Sequence, residues 1–493
     1  MKPIQLCVFT EEEKQIIHAA TLEVLETVGV RVYDDGLRTL MRDRGAKVDV
    51  TTGDVKLAPQ LVMEALAAAP KRFNLANRRG ETLPIPAEET YICSRVLLPK
   101  TLDYGAEKPR DPVIDDIVKA CQIANALDEV DMVLRTDTPV SDIDAPPELN
   151  GLLSIQIALS YTDKHFLCIP INYQAMQDWV ALAEAATESG DLSKEPIMTL
   201  EVSTTAPLQL DRESCRILRL GAEKGLPVMA MPMPAGGGTA PVTTAGEIVA
   251  MNAETLFPIV ATQMVNPGCP SFYGGIPCTF DLRTGIISLS SPEFPLMTSG
   301  SLEMGRFYGL PLLSPSKYTD SLTFDEQCGA EKIMAAFASM VSGADIIYGN
   351  GDLDNAVVLS LEQLIIDLDL VLAARRFVEG IVVDKERLAL EAISRVGPGG
   401  HYLEDPHTLQ FMRSGERLAP KSYNRLGHRS TARPQLEKAH EIVEKIVSQP
   451  AEPAITEAAR ARIQARVEER KREIMASVKN RCQELKIEDA CSW

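Results

Sequence analysis

Eight short apolar runs, separated by stretches of helical periodicity, constrain this chain more than any other feature. They lie at Thr90–Val96, Val130–Arg135, His165–Ile171, Ile197–Ser203, Pro227–Met231, Pro270–Tyr273, Leu310–Leu313 and Asp345–Tyr348. Each is too short for a helix and suits a buried strand. Asp115–Leu127, Tyr173–Glu188, Glu213–Lys224, Ala245–Met264, Pro295–Tyr308 and Phe324–Val341 read as helices between them. Such alternation predicts an α/β fold, a (β/α)8 TIM barrel rather than an open sheet.

The flanks read differently. Thr10–Thr27 and Ala58–Ala69 are amphipathic, with Thr10 and Glu13 at capping-box spacing, and Ala46–Leu57 alternates like a small hairpin. The expected division is an α-rich amino-terminal cap over 1–85, a catalytic barrel over 86–385 and a helical carboxyl extension over 386–493. In that extension Ile463, Val467, Ile474, Val478 and Leu485 form a seam along a charged helix. The seam either pairs with a partner helix, making a homo-oligomer, or packs on its own barrel.

Gly225–Glu254 is one strand–loop–helix unit. Pro232, Pro234 and Gly236–Gly238 break regular structure, and Thr244 with Glu247 has the spacing of a second capping box. Three consecutive glycines exceed what a turn requires, so a ligand-facing loop competes with a plain βα turn.

Charge narrows the partners. Fifty basic residues against 69 acidic give a net −19, which disfavours nucleic acid and anionic membranes. The amino terminus lacks the apolar core of a signal peptide, and the most apolar window, near Val357–Ala374, is interrupted by Glu362, Asp367 and Asp369. With ten scattered cysteines, the expectation is a cytoplasmic protein with reduced thiols. Gly349 and Gly351 begin a G-x-G that fails at Asp354, no P-loop occurs, and no G-x-S-x-G surrounds Ser203–Thr205. The six histidines are dispersed, and no Cys/His pair has zinc spacing, so no metal site is expected.

Five blocks then make the chain identifiable. They are LPVMAMPMPAGGGTAPVTTAGEIVAMNAETL, NPGCPSFYGGIPCTFDLRTG with SPE, YGLPLLSPSKYTDSLTFDEQCGAEK, GADIIYGNGDLDNAVVLSLEQLIID and GPGGHYLEDPHTL. In this order over 225–409 they resemble the trimethylamine methyltransferase superfamily. The resemblance implies a barrel that demethylates a methylated amine and passes the methyl to cob(I)alamin on a separate corrinoid protein, with no cofactor in this chain. Founding members carry pyrrolysine. This chain has ordinary residues throughout, like the branch associated with glycine betaine, proline betaine and carnitine. No D-x-H-x-x-G corrinoid motif is present; Asp405 and His407 come nearest, with Gln410 in the glycine's place.

Chemistry fits that branch. A quaternary ammonium leaves as a neutral tertiary amine, so the barrel has only to hold the cation, strip its water and aim a methyl. Aromatic faces and carboxylates recognise such a cation. The substrate-binding candidates are Tyr348 first, then Tyr273 with Phe272, then Tyr173, with Tyr91 or Tyr104 behind them. Glu201, inside a strand, either faces the cation or pairs with an arginine. Asn350, His401, Arg95 or Arg283 could bind a substrate carboxylate. No catalytic residue is assigned. Three rivals remain: a quaternary-ammonium-binding barrel without methyl transfer, a methyltransferase acting on another methylated amine, and a lyase or aldolase using Lys317.

Overall fold

Each of the eight expected runs overlaps a strand of one parallel barrel, the seventh by Leu313 alone. In this computed structural model, which describes residues 6–424 and 433–485, the strands are β1 (Tyr91–Arg95), β2 (Met132–Thr136), β3 (His165–Ile169), β4 (Met198–Val202), β5 (Val228–Ala230), β6 (Ser271–Tyr273), β7 (Leu313–Pro315) and β8 (Ile346–Asn350). Neighbours follow chain order. β8 pairs with β1, and a bridge from Tyr273 to Leu312 joins β6 to the start of β7. The helices after each strand are α1 (Ile114–Ala126), α2 (Pro147–Tyr161), α3 (Tyr173–Ala186), α4 (Arg212–Lys224), α5 (Thr244–Val265), α6 (Glu293–Phe307), α7 (Glu326–Val341) and α8 (Leu361–Val378).

The barrel interior is filled by Cys93, Leu134, Leu167, Met229, Phe272, Leu313 and Ile346, each contributing about 1.5–3 kcal/mol for the larger side chains. A hairpin, Phe73–Ala76 with Thr82–Ile85, plugs the amino-terminal end. Phe73 meets Phe272 edge to face at 5.2 Å, with Leu75 and Leu83 beside it.

Helices Glu11–Glu23, Asp35–Asp43 and Pro59–Ala68 lie on α5. That explains why α5, and not the Val357–Ala374 window, is long and apolar enough to cross a membrane: 83% of its apolar window is buried by protein on all sides. The Thr10–Glu13 capping box forms as expected. The one expected at Thr244–Glu247 does not. Thr243 is the cap residue, without a side-chain bond, and the Glu247 carboxylate turns inward to the Cys278 amide.

Two carboxyl-terminal helices close the described part of the chain: α9 (Gln435–Val447) on α1 and α8, and α10 (Glu457–Leu485) on α2 and α3. Ile463, Val467, Ile474 and Val478 of the expected seam are buried against the chain's own barrel. Leu485 lies outside the described side chains. Among the described cysteines only Cys7 is exposed, and none is paired.

Candidate functional site

Strand alternation sends every second side chain into the barrel, and at the carboxyl ends that inward set turns polar. Arg95 ends β1, Glu201 lies near the end of β4, and Tyr348 precedes a register shift in β8. Gly349 (φ +106°) and Gly351 (φ +93°) bracket Asn350 in backbone that side chains rarely adopt. The resulting bulge returns Asp352 to Arg95.

Arg95 Nε donates to both Asp352 oxygens, at 3.0 and 3.2 Å, and the two side chains are 4% and 0% exposed. Arg95 Nη2 lies 3.5 Å from the Tyr318 hydroxyl, and its Cζ is 5.8 Å from the Tyr348 ring centre. Tyr318 and Tyr348 meet edge to face at 6.1 Å. Among the described residues Glu201 pairs with no cation and accepts one hydrogen bond, 2.7 Å from Ser203 Oγ. It retains some solvent access. Burial pushes its carboxyl up to about 7, against Ser203 and the Arg95 charge.

Among the described residues the buried Arg95 Nη1 lacks an acceptor, and the Tyr348 hydroxyl has only Tyr318 beside it. A buried donor costs about 1–3 kcal/mol when left unpaired. The mouth therefore holds a guanidinium with a free N–H, a carboxylate without a cation and two tyrosine rings. That constellation suits a small molecule carrying both an acceptor and a cation.

A second layer holds these groups. Lys332 and Asp367, both fully buried, pair at 2.7 Å. Lys332 Nζ donates to the Lys317 carbonyl at 2.8 Å, and Asp367 accepts from the Gly351 amide at 2.8 Å. This clip ties the loop after β7, which carries Tyr318, to the bulge of β8. Lys317 Nζ hydrogen-bonds Asn350 Oδ1, and Asn350 Nδ2 donates to Ser94 Oγ at 3.2 Å. Burial first, then the Lys332 charge, lowers the Lys317 amine to about 7 against the attraction of Asp367.

The triple-glycine loop roofs this end. Ala235–Gly236 pairs with Cys278–Asp281, which pairs with Ile286–Ser288. A Cβ at Gly236 would stand 2.2 Å from Glu247 Oε2, so that glycine admits the inward carboxylate.

The remaining sequence candidates disperse. Phe272 sits lower in the barrel, against Phe73. Tyr273 turns outward, its hydroxyl donating to Asn252 Oδ1 of α5 at 2.8 Å. Tyr173 lies outside the barrel in a cavity of about 1090 Å3 among α2, α3, α4 and α10, with Arg216 already 3.9 Å over its ring. Arg216 thus covers the ring face that another cation would need. Tyr91 hydrogen-bonds Pro84 O at the opposite end, Tyr104 stacks on His440 at 3.7 Å, and Arg283 is an exposed partner of Asp281. His401 is exposed in the loop between Leu390–Val396 and Pro406–Phe411. Tyr318, Asp352 and Lys332 were not singled out from sequence, and Ser203 was weighed only as a nucleophile in Ser203–Thr205. Tyr318 stands five residues beyond the Leu310–Leu313 run, and only the one-residue step from Lys317 hinted at it. No group of three or more His, Cys, Asp or Glu side chains among the described residues could hold a metal ion.

Comparison with known proteins agrees with this architecture. Residues 2–475 match the family model described as trimethylamine methyltransferase (MTTB). Trimethylamine methyltransferase MttB of Methanosarcina barkeri strain Fusaro is 33% identical over 420 residues, 83% of each chain. The glycine betaine methyltransferase of Desulfitobacterium hafniense strain Y51 is 28% identical over 479 residues, 95% of this chain and 98% of that one. Among solved structures, the monomethylamine methyltransferase MtmB of Methanosarcina barkeri shares the fold, with a TM-score of 0.54 at 13% identity, covering 90% of this chain and 89% of its own. With this coverage and the closed barrel in hand, the chain belongs to the trimethylamine methyltransferase family, in the branch written without pyrrolysine.

Proposed function

We propose that this protein demethylates a quaternary amine bearing a carboxylate, of the betaine type, and delivers the methyl group to cob(I)alamin on a separate corrinoid protein. One observation carries the reading: among the described residues Arg95 Nη1 lacks an acceptor in the same mouth where Glu201 lacks a cation. The substrate carboxylate completes Arg95, and its ammonium lies against Glu201 and the rings of Tyr318 and Tyr348. The partner's cobalt supplies the nucleophile, while the C–N electron pair stays on nitrogen and leaves as a neutral amine. The chain's own residues hold the cation, exclude water and orient one methyl outward. The near-complete alignment with a glycine betaine methyltransferase supports the substrate class. The same reading keeps a cap over 1–85, a catalytic barrel over 86–385, an extension over 386–493, and a cytoplasmic, homo-oligomeric protein.

The test incubates the protein with reduced corrinoid protein and a panel of glycine betaine, proline betaine, carnitine and trimethylamine, following conversion of cob(I)alamin to methylcobalamin. Conversion with at least one carboxylated quaternary amine, and little with trimethylamine, is expected. Binding without conversion would make this a binding barrel, and conversion of trimethylamine alone would remove Arg95 from substrate recognition.

A further inference from the structure

The stretch after α8 inverts the usual burial pattern. Of the 27 large apolar side chains exposed among the described residues, 11 lie between Phe377 and Met412. Ile381, Leu403 and Val383 are 85, 78 and 73% exposed. The stretch is nonetheless built. Helices Leu390–Val396 and Pro406–Phe411 are present, and Asp405 caps the second through the His407 amide at 2.9 Å. Arg387 pairs with Asp384 and Glu416, and Arg395 with Asp405. Ion pairs tie the arm to itself and to Glu416 while much of its apolar surface stays exposed.

Monomers rarely expose a contiguous apolar patch above a few hundred Å2. At roughly 150–200 Å2 for a fully exposed side chain of this size, the arm presents on the order of 1000 Å2 of apolar-residue surface. A stable interface needs about 800 Å2 from each partner.

Location selects the occupant. Arg375, at the end of α8, donates to Thr90 O just before β1, and Lys421, where the chain returns, pairs with Glu129 just before β2. The arm thus springs from the amino-terminal end of the barrel, away from the mouth. A carrier protein that docks on the mouth leaves it bare. The α10 seam is already covered by its own barrel. We infer that the arm Phe377–Met412 is the interface with a second copy of this chain, the same patch serving both copies across a two-fold axis.

Light scattering on the full chain at micromolar concentration tests this. The expected mass is a multiple of 53.9 kDa. The variant I381E/L403E is expected to run as one chain with unchanged circular dichroism, whereas L282E, on an exposed roof residue, stays assembled. A wild-type mass of one chain, or assembly that survives in I381E/L403E, overturns the inference. Should that variant fail to fold, hydrogen exchange of the wild type decides. Amides of 381–412 are expected to exchange more slowly in assembled than in diluted protein. Equal exchange, or protection that appears only on adding the corrinoid protein, overturns it. Neither readout depends on methyl transfer.

Discussion

At the carboxyl end of the barrel Arg95 is buried with Nη1 unpaired among the described residues, whereas on the arm that springs from the amino end Ile381, Val383 and Leu403 stand in water. Both ends depart from the usual sorting of side chains, in opposite directions. A buried, unpaired polar group is costly and short-ranged, so it calls for a small ligand with matched charges. An exposed apolar surface is non-directional and scales with area, so it calls for another macromolecule. The two ends therefore point to partners of different kind, and each can be disturbed without the other.

The largest effect is expected at the mouth's supporting clip. Lys332→Met leaves Asp367 buried without its cation, at a cost of about 3–5 kcal/mol. Denaturant unfolding should show it, and Lys332→Met with Asp367→Leu should recover much of the loss. A single variant within about 0.5 kcal/mol of wild type would mean that the clip carries no stability.

Arg95→Lys keeps the charge but not the planar fork. Betaine affinity is expected to fall by about 1–3 kcal/mol, measured by calorimetry, with trimethylamine binding little changed. Equal losses for both ligands would place Arg95 in general mouth architecture only.

The pH dependence comes next. The Glu201 carboxyl sits at about 7 rather than its ordinary 4.5. Between those values the folded protein holds this proton more tightly than the unfolded chain, so this group's contribution to stability falls as pH rises. Cation affinity runs the other way, weakening up to about tenfold per unit below pH 7 and levelling off above it. Glu201→Gln should flatten that profile. A slope that persists in the variant would assign it to Lys317, whose amine also titrates near 7.

Tyr348→Leu keeps apolar bulk and removes the aromatic face, with an expected loss of about 0.5–2 kcal/mol in betaine binding. Unchanged binding with a lowered melting temperature would make Tyr348 a packing residue. The smallest effect is expected at the other end. An apolar interface is not screened, so raising salt from about 0.1 to 1 M should leave the assembled mass unchanged. Dissociation in salt would assign the interface to charged groups.

How much of this was legible in sequence depends on how local each cause is. The eight strands, the helices around them and the Thr10–Glu13 cap follow from periodicity and short-range hydrogen bonding, which a few neighbouring residues determine. Tyr348 was picked out as a strand-end aromatic and Glu201 as a carboxylate inside a strand, and strand alternation turns both inward. Tyr273 shares a strand end but has the opposite parity, and Asn252 of α5 claims its hydroxyl. Thr244 and Glu247 have capping spacing too, yet a roof loop some ten residues earlier in the chain and the Cys278 amide draw the carboxylate inward. Asp352 reaches Arg95 across 257 positions, and only closure of the barrel between β8 and β1 creates that contact. α10 carries a seam that sequence alone leaves free to face a partner, and the groove between α2 and α3 claims it. The sequence by itself thus determined the alternating elements. The pairing of charges in the mouth, the direction of α10 and the apolar arm left uncovered were decided by tertiary structure, because each depends on contacts between segments far apart in the chain.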